Sequence, residues 1–282
     1  MKGLSARRIL VVARYEIRRA LARKKILAGV ILVTLVQILG LYGYSEINRV
    51  ASTGNLPVKP DLGLAWLFTY FLPSYLMSGL ASLIASGSFS EEFEGGASET
   101  LFTKPATRLE IFLGKVLGGY ILQALFTTLM LVLSISLSTL IFGPQLYIDM
   151  APAILVANIY SNTIFFSIAL ALSSITRNTL ISTATPISML AFLPFISGLL
   201  IFLERSLGGG YSIFARLLPT WGATMHAYII PTEILQRAFL LTPLLMSLYG
   251  DPIQAALSVA GYSTLFISLA AYRILYSDIP KR

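Results

Sequence analysis

The sequence predicts an all-α membrane protein with six transmembrane helices, and three observations support this fold class. Of the 282 residues, 56% are hydrophobic and only 12% are charged, whereas a soluble domain has about 25% charged residues. Six uncharged apolar stretches are each long enough to cross a hydrocarbon core about 30 Å thick as a helix. The basic residues also concentrate on one side of these stretches, as the positive-inside rule requires. The chain has no cysteine, which excludes disulfide frameworks and thiolate metal sites.

The first predicted element is an amphipathic helix in residues 1–25. Its apolar side chains between Ala6 and Leu21 fall in one arc at about 100° per residue, and its six arginines lie at or beyond the edges of that arc. Such a helix lies in the interface between membrane and water. It either anchors the chain alone or also contacts a cytoplasmic partner, and the residues leave both alternatives open.

The predicted spans and their connections form a single transmembrane domain, residues 1–282. The apolar stretches are residues 26–44, 64–89, 116–142, 152–176, 179–203 and 253–272. After the amphipathic helix, this divides the chain into spans 1 and 2 (26–89), a cytoplasmic loop (90–115), spans 3 to 5 (116–203), an outer loop (204–252), and span 6 with a cytoplasmic tail (253–282). The outer loop is interrupted by Pro219, Pro231 and Pro243, and therefore predicts short interfacial or re-entrant helices.

The distribution of basic residues predicts the orientation. With the N-terminus in the cytoplasm, 16 of the 21 lysines and arginines lie in inside segments. The sequence therefore predicts a multi-pass protein of the cell (plasma) membrane with both termini in the cytoplasm. The net charge of +8 is explained by the basic residues that orient a membrane protein, so the sequence predicts no nucleic-acid partner.

The loop between spans 2 and 3 holds five of the 13 acidic residues. Glycines at 95 and 96 end one helix, a short helix over about residues 97–103 can follow, and Pro105 ends it. Thr107 and Glu110 have the spacing of a capping box that opens the third span. Composition alone favours a solvated connection with acidic caps over a functional loop.

The residues of this loop resemble the signature of ABC-2 type permeases, the type 2 exporter group that includes drug-exporter-like, polysaccharide and NosY-like membrane subunits. The matching positions are Glu92, Glu94, Gly96, Leu101, Pro105, Arg108 and the pair Gly114-Lys115. Ala97 and Ser98 depart from the threonine and leucine that are usual in the family. Six spans, an amphipathic first helix and a long outer loop before the last span extend the resemblance over nearly the whole chain.

The resemblance implies that the loop forms a coupling helix, which docks in a groove of a separate ATPase subunit. The implied coupling residues are Glu92, Glu94, Gly96, Glu99, Leu101, Pro105, Arg108 and Lys115. It further implies two membrane subunits, both copies of this chain, that pair with two ATPase subunits. ATP and Mg would be bound by those partners, and this chain would bind no cofactor.

Polar residues within the spans allow two interpretations. Ser134 and Ser138, and likewise Asn158 and Asn162, share a helix face, and Gln123 lies one turn from a threonine. Such residues can line a translocation pathway, but hydrogen bonds between helices are the favoured interpretation. The uncharged spans suggest an apolar or amphiphilic cargo, although lipid-facing surfaces have the same composition.

An enzyme is the least favoured class. Glu91 and Glu92 lack the arginine or histidines that a membrane-embedded protease of the paired-glutamate type needs, and His226 is the only histidine. Gly114-Lys115 lacks the remaining phosphate-loop pattern and enters a membrane helix. The sequence therefore predicts no catalytic site and no metal site. The main alternative is a stand-alone six-span channel or membrane scaffold without an ATPase.

Overall fold

A computed structural model describes residues 4–53, 60–96, 106–239 and 250–276. These residues are 87% helical and include no strand, and six helical segments are long and apolar enough to cross a membrane. The predicted all-α class with six spans is thus confirmed. The helices are α1 (Ala6–Leu21), α2 (Lys24–Ser52), α3 (Ala65–Ser86), α4 (Ser90–Glu94), α5 (Arg108–Phe142), α6 (Ala151–Ser161), α7 (Thr163–Thr176), α8 (Thr179–Leu207), α9 (Ser212–Leu217), α10 (Pro219–Ala223), α11 (Met225–Tyr228), α12 (Thr232–Phe239) and α13 (Pro252–Tyr276).

Helix α3 forms the centre of the bundle and packs against α2, α5, α7 and α8. Ser74, Ser78, Ser82 and Ser86 recur at every fourth position of α3 and are fully buried. Lipid tails are as apolar as the helices, so the hydrophobic effect does not drive helices together within the membrane. Small side chains such as serine allow the close packing that holds them together instead. The outer faces of α2, α5, α8 and α13 carry exposed leucines and isoleucines, as expected for helices in contact with lipid.

The fourth predicted span consists of two helices, α6 and α7, that meet at Asn162. The Asn162 side chain donates a hydrogen bond to Asn158 Oδ1 (2.8 Å) and accepts one from Ser78 (2.7 Å), while Asn158 donates to the Tyr70 hydroxyl (2.7 Å). These bonds link the fourth span to α3. They are the helix–helix contacts that the packing interpretation of Asn158 and Asn162 predicts.

Helix α8 contains two prolines, and a neighbouring helix replaces the backbone hydrogen bond that one of them removes. Pro194 has no N–H, so the carbonyl of Leu190 lacks its intrahelical donor. The Tyr75 hydroxyl on α3 donates to that carbonyl at 3.0 Å. The bond fixes the position of α8 relative to α3.

Helix α1 lies along the first turns of α5, and two glycines permit the close approach. A Cβ at Gly114 would lie 2.5 Å from the Val12 Cβ, and a Cβ at Gly118 would lie 2.6 Å from the carbonyl oxygen of Ala13. The Gly114 of the sequence motif is therefore a packing position. The coupling helix expected at 97–103 lies outside the described residues.

Candidate functional site

Seven charged side chains meet at one end of the bundle, where α1 and α4 contact the starts of α2 and α5. We call this set the charge cluster, and the end of the bundle that carries it the charged end. Its members are Glu16, Arg19, Arg23, Lys25, Glu91, Glu92 and Lys115.

The centre of the charge cluster is the pair formed by Glu16 and Lys115, whose side chains are fully buried. Lys115 Nζ lies 3.2 Å from Glu16 Oε2 and 2.7 Å from Glu92 Oε1, and it also donates to the Ser88 carbonyl at 2.7 Å. The Ser88 hydroxyl donates to Glu16 Oε1 at 3.0 Å. One ammonium group thus joins α1, α4 and α5.

Arg19 forms a second link between α1 and the turn after α3. Its guanidinium lies 2.7 Å from Glu92 Oε1 and 2.9 Å from Glu16 Oε1, and it donates to the carbonyls of Gly87 and Ser88, each at 2.9 Å. A planar guanidinium has five N–H donors in a rigid fork and can make several such bonds at once. The compact ammonium of a lysine has three donors and cannot reach the same set of acceptors. The turn at the end of α3 is therefore held by side chains of α1.

Glu91 connects the charge cluster to α2. Arg23 Nε lies 2.8 Å and Lys25 Nζ 3.0 Å from the Glu91 carboxylate, and Arg23 also donates to the Ile84 carbonyl at 2.9 Å. Gly87 leaves the space for this arrangement, because a Cβ there would lie 2.2 Å from Glu91 Oε1. The adjacent acids of the sequence motif therefore have different partners: Glu91 faces α2 and Glu92 faces α1 and α5.

Burial and the neighbouring charges shift the pKa of Glu16 in opposite directions. Burial alone would raise the pKa of this carboxyl group, but the positive charges of Lys115, Arg19 and Arg23 lower the pKa below its ordinary value. The group is therefore ionised at neutral pH. A buried carboxylate without these partners would be strongly destabilising, so the three cations and Glu16 depend on one another.

Glu110 closes the charged end by capping two helices. The predicted capping box is present: the Glu110 N–H donates to Thr107 Oγ1 (3.2 Å), and the Thr107 N–H donates to Glu110 Oε2 (2.8 Å). The other oxygen of Glu110 accepts the Ser5 N–H at 2.8 Å, and Arg8 contacts the carboxylate at 3.1 Å. The first turns of α1 and α5 therefore share one carboxylate.

Loss of the Thr107 hydroxyl is expected to weaken this cap. We predict that Thr107→Ala lowers the free energy of unfolding by about 1 kcal/mol, because the Glu110 N–H loses its acceptor. Denaturant titration of the purified chain in detergent measures this change. The matched control is Thr139→Ala, since Thr139 lies near the other end of α5 and caps no helix start. Equal stability of the two variants would contradict the capping role.

Glu94 and Arg108 attach the same region to other spans. The Glu94 carboxylate accepts the N–H of Thr179 at 2.8 Å and its hydroxyl at 2.6 Å, which caps the start of α8. Arg108 donates to the carbonyls of Ile274 (3.4 Å) and Leu275 (3.3 Å) near the end of α13. The charged end thus contacts the ends of the fifth and sixth spans as well.

The structure brings four of the predicted coupling residues to the charged end. These are Glu92, Glu94, Arg108 and Lys115. Gly96 follows α4 with a φ of +68°, a conformation that suits glycine. Glu99, Leu101 and Pro105 lie outside the described residues, and their contact with an ATPase stays a prediction, as does that of the other five.

Sequence reasoning missed Glu16, although it is the most buried acid of the charge cluster. A signal was present: Glu16 is the only acidic residue before Glu46, and its position places it on the same helix face as Ala13 and Ala20. A lone acid on the apolar face of a basic helix indicates a buried partner. Spacing along α1 could not identify that partner as Lys115, which lies 99 positions later.

The other span residues that the sequence offered as pathway candidates, Gln123, Ser134 and Ser138, are buried and make contacts within the chain. Ser134 and Ser138 lie 2.7 Å and 3.2 Å from the Thr69 hydroxyl, and Gln123 donates to the Ile159 carbonyl at 3.2 Å. These contacts join α5 to α3 and α6. A role of these residues in a translocation pathway stays a prediction.

The comparisons with known proteins define the class of this chain. Residues 10–278 match the family described as ABC-2 family transporter protein, so the chain belongs to that family. It is therefore a multi-pass membrane protein and the membrane subunit of an ABC transporter, and membership implies partnership with an ATPase subunit. A comparison with curated proteins finds no significant match.

The family match confirms the resemblance seen in the loop between spans 2 and 3. It favours the transporter hypothesis over a stand-alone channel or scaffold, and the membrane subunit of a transporter is consistent with the expected non-enzymatic role. The finer assignment to NosY-like transporters stays a prediction.

Proposed function

We propose that this chain is the permease subunit of an ATP-driven exporter, which moves an apolar or amphiphilic cargo across the cell membrane. Two copies pair with two ATPase subunits, which bind ATP and Mg. The charged end faces the cytoplasm, in agreement with the 16 basic residues assigned to the inside segments. The observation that carries the proposal is the charge cluster, because it attaches both flanks of residues 97–105 to α1.

The attachment explains how a movement of the loop reaches the spans. Upstream of the loop, α4 continues from α3 and is held through Glu91 and Glu92. Downstream, α5 begins at Arg108 and is held through Lys115. A displacement of the loop by an ATPase therefore moves α1, α3 and α5 together, as a rigid-body shift between two states requires.

Helix α1 leaves an apolar surface for the membrane interface. Leu10, Val11 and Tyr15 are 59%, 64% and 51% exposed, whereas Glu16 and Ala20 are buried against the bundle. A helix with one side on the bundle and an apolar side outward suits a position in the headgroup region. Helix α1 thus anchors the chain at the membrane interface with one side and contacts the residues that flank the coupling loop with the other.

The test uses two predicted coupling residues, Glu99 and Leu101, that are not among the seven side chains that define the charge cluster. The tagged chain is co-expressed with ABC ATPases of its host, and the complex is purified and assayed for ATP hydrolysis. We predict that the pair Glu99→Ala and Leu101→Ala lowers ATPase recovery about tenfold, equivalent to about 1.4 kcal/mol of docking free energy. Thermal unfolding of the chain alone should stay unchanged.

The matched control applies the same two replacements at the opposite end of the bundle, as Glu46→Ala and Leu207→Ala. Glu46 pairs with Arg49, three residues later on α2, and Leu207 is 72% exposed at the end of α8. ATPase recovery of this control should equal that of the wild type. Equal recovery of both double variants would overturn the docking role of the loop, and recovery of no ATPase by the wild type would restore the channel or scaffold alternative.

A further inference from the structure

Helix α1 and the turn after it carry six arginines, and these divide into two sets by their contacts. Three form ion pairs with carboxylates of the charged end: Arg8, Arg19 and Arg23. The other three are exposed and form no ion pair within the part of the chain that the structure describes: Arg7, Arg14 and Arg18. The outward side of α1 therefore carries three positive charges that the described residues do not neutralise.

The three exposed arginines share one face of α1, and we call them the arginine line. At 3.6 residues per turn, Arg7, Arg14 and Arg18 fall within an arc of about 40° and span about 16 Å along the helix axis. Exposed apolar side chains flank the line on both sides: Leu10 and Leu21 on one side, Val11 and Tyr15 on the other. Long arginine side chains can cover such apolar flanks while their charged ends stay at the polar surface of a membrane.

The attachment of α1 to two spans fixes its depth relative to the membrane. Only Ala22 and Arg23 separate α1 from α2, and the first uncharged stretch begins at Ile26. The middle of α1 packs against Gly114 and Gly118 of α5, where the third uncharged stretch begins. Both contacts hold α1 at the level at which a span enters the hydrocarbon, and this is the level of the lipid headgroups.

The anion available at this depth is the phosphate of the lipid headgroup. A guanidinium binds phosphate oxygens through two parallel hydrogen bonds, and the pairing of opposite charges strengthens them. The phosphate of a zwitterionic lipid is already neutralised by the ammonium group of the same headgroup. An anionic phospholipid keeps a net negative charge, so it complements the excess positive charge of the arginine line.

We propose that the exposed face of α1 binds anionic phospholipids, with Arg7, Arg14 and Arg18 on the lipid phosphates and the apolar flanks against the upper part of the acyl chains. This inference goes beyond the proposed function, because it assigns α1 a ligand of defined charge that requires no ATPase. Glu16 and Ala20 lie on the opposite face of α1 and are buried against the bundle. The lipid surface and the charge cluster therefore use different side chains of the same helix and can be altered separately.

The experiment places one fluorophore beside the arginine line. The chain has no cysteine and Leu10 is 59% exposed, so Leu10→Cys supplies a single thiol for a bimane label. The labelled chain in phosphatidylcholine nanodiscs is titrated with phosphatidylglycerol or phosphatidylcholine that carries a quenching spin label near the headgroup. We expect phosphatidylglycerol to reach half-maximal quenching at a lipid fraction about tenfold lower, equivalent to about 1.4 kcal/mol. High salt should remove the difference, because the screening length falls from about 10 Å at 0.1 M to about 3 Å at 1 M.

Two triple variants separate the arginine line from the net charge of the chain. The preference for phosphatidylglycerol should disappear in the first variant, which combines Arg7→Gln, Arg14→Gln and Arg18→Gln. The matched control removes three exposed arginines near the opposite end of the bundle, as Arg49→Gln, Arg205→Gln and Arg216→Gln. Both variants lower the net charge equally, so the control should keep the full preference if the lipid binds at α1.

Equal quenching by the two lipids at low salt would overturn the proposal, as would a preference that the first triple variant retains. Unchanged lipid preference together with lost ATPase recovery in that variant would assign the arginine line to a protein partner instead. Should the first variant fail to fold, the salt dependence of the labelled chain with all its arginines still tests the proposal. The nanodiscs contain no ATPase, so failure of the proposed export function would leave the lipid result intact.

Discussion

Replacing Glu16 with glutamine is expected to destabilise the charged end of the bundle by about 3–5 kcal/mol, the typical effect of removing one partner from a buried ion pair. The charge cluster holds three carboxylates and four cations, and Glu16 is the carboxylate that contacts Lys115, Arg19 and Arg23. Its loss increases the excess of buried positive charge. Denaturant titration of the purified chain in detergent measures the effect.

A double-variant cycle separates the ion pair from other effects of the substitution. Lys115→Met alone should also destabilise the chain, whereas Glu16→Gln with Lys115→Met restores the original charge balance and should cost less than the sum of the single changes. Glu46→Gln is the matched control, because it breaks an exposed ion pair with Arg49 and should change little. Additive effects of Glu16→Gln and Lys115→Met would refute the direct interaction.

The sequence predicts the spans well because the membrane imposes a strong constraint on composition. Each of the six apolar stretches coincides with a helical segment long enough to cross the membrane, since an uncharged run of that length is most stable in lipid when its backbone hydrogen bonds are made within the segment. The capping box of Thr107 and Glu110 was equally predictable, because its two partners lie three residues apart. Local and compositional rules therefore account for most of the fold.

The contacts between distant segments could not be predicted in the same way. Periodicity places Glu16 on the buried face of α1, but only the packing of α1 along α5 brings it to Lys115. A cavity that α3, α8 and the short helices α10 and α11 enclose likewise combines segments that lie far apart in the sequence. The motif residue Gly114 was detected through the family resemblance, whereas its physical role became clear from its contact with Val12.

Replacing Gly118 with alanine is expected to detach α1 from α5. The added Cβ would lie 2.6 Å from the Ala13 carbonyl oxygen and 3.0 Å from the Ala13 Cα, which are backbone atoms that cannot rotate away. Overpacking of this kind costs about 1–3 kcal/mol. Because Glu16 lies on the same helix, a shift of α1 also lengthens the contact between Glu16 and Lys115 and weakens the charge cluster.

The absence of natural cysteines allows the detachment to be measured directly. Ala20 is fully buried, so the thiol introduced by Ala20→Cys should react slowly with a maleimide in the otherwise unchanged chain and at least about tenfold faster with Gly118→Ala, as a local opening weakened by about 1.4 kcal/mol requires. Gly198→Ala is the matched control, since a Cβ at Gly198 meets no atom within 4 Å. Equal labelling rates for the two alanine variants would show that the close approach of α1 and α5 does not depend on Gly118. Faster labelling with Gly118→Ala, together with weaker ATPase recovery, would instead show that the packing of α1 against α5 transmits movement of the loop to the spans.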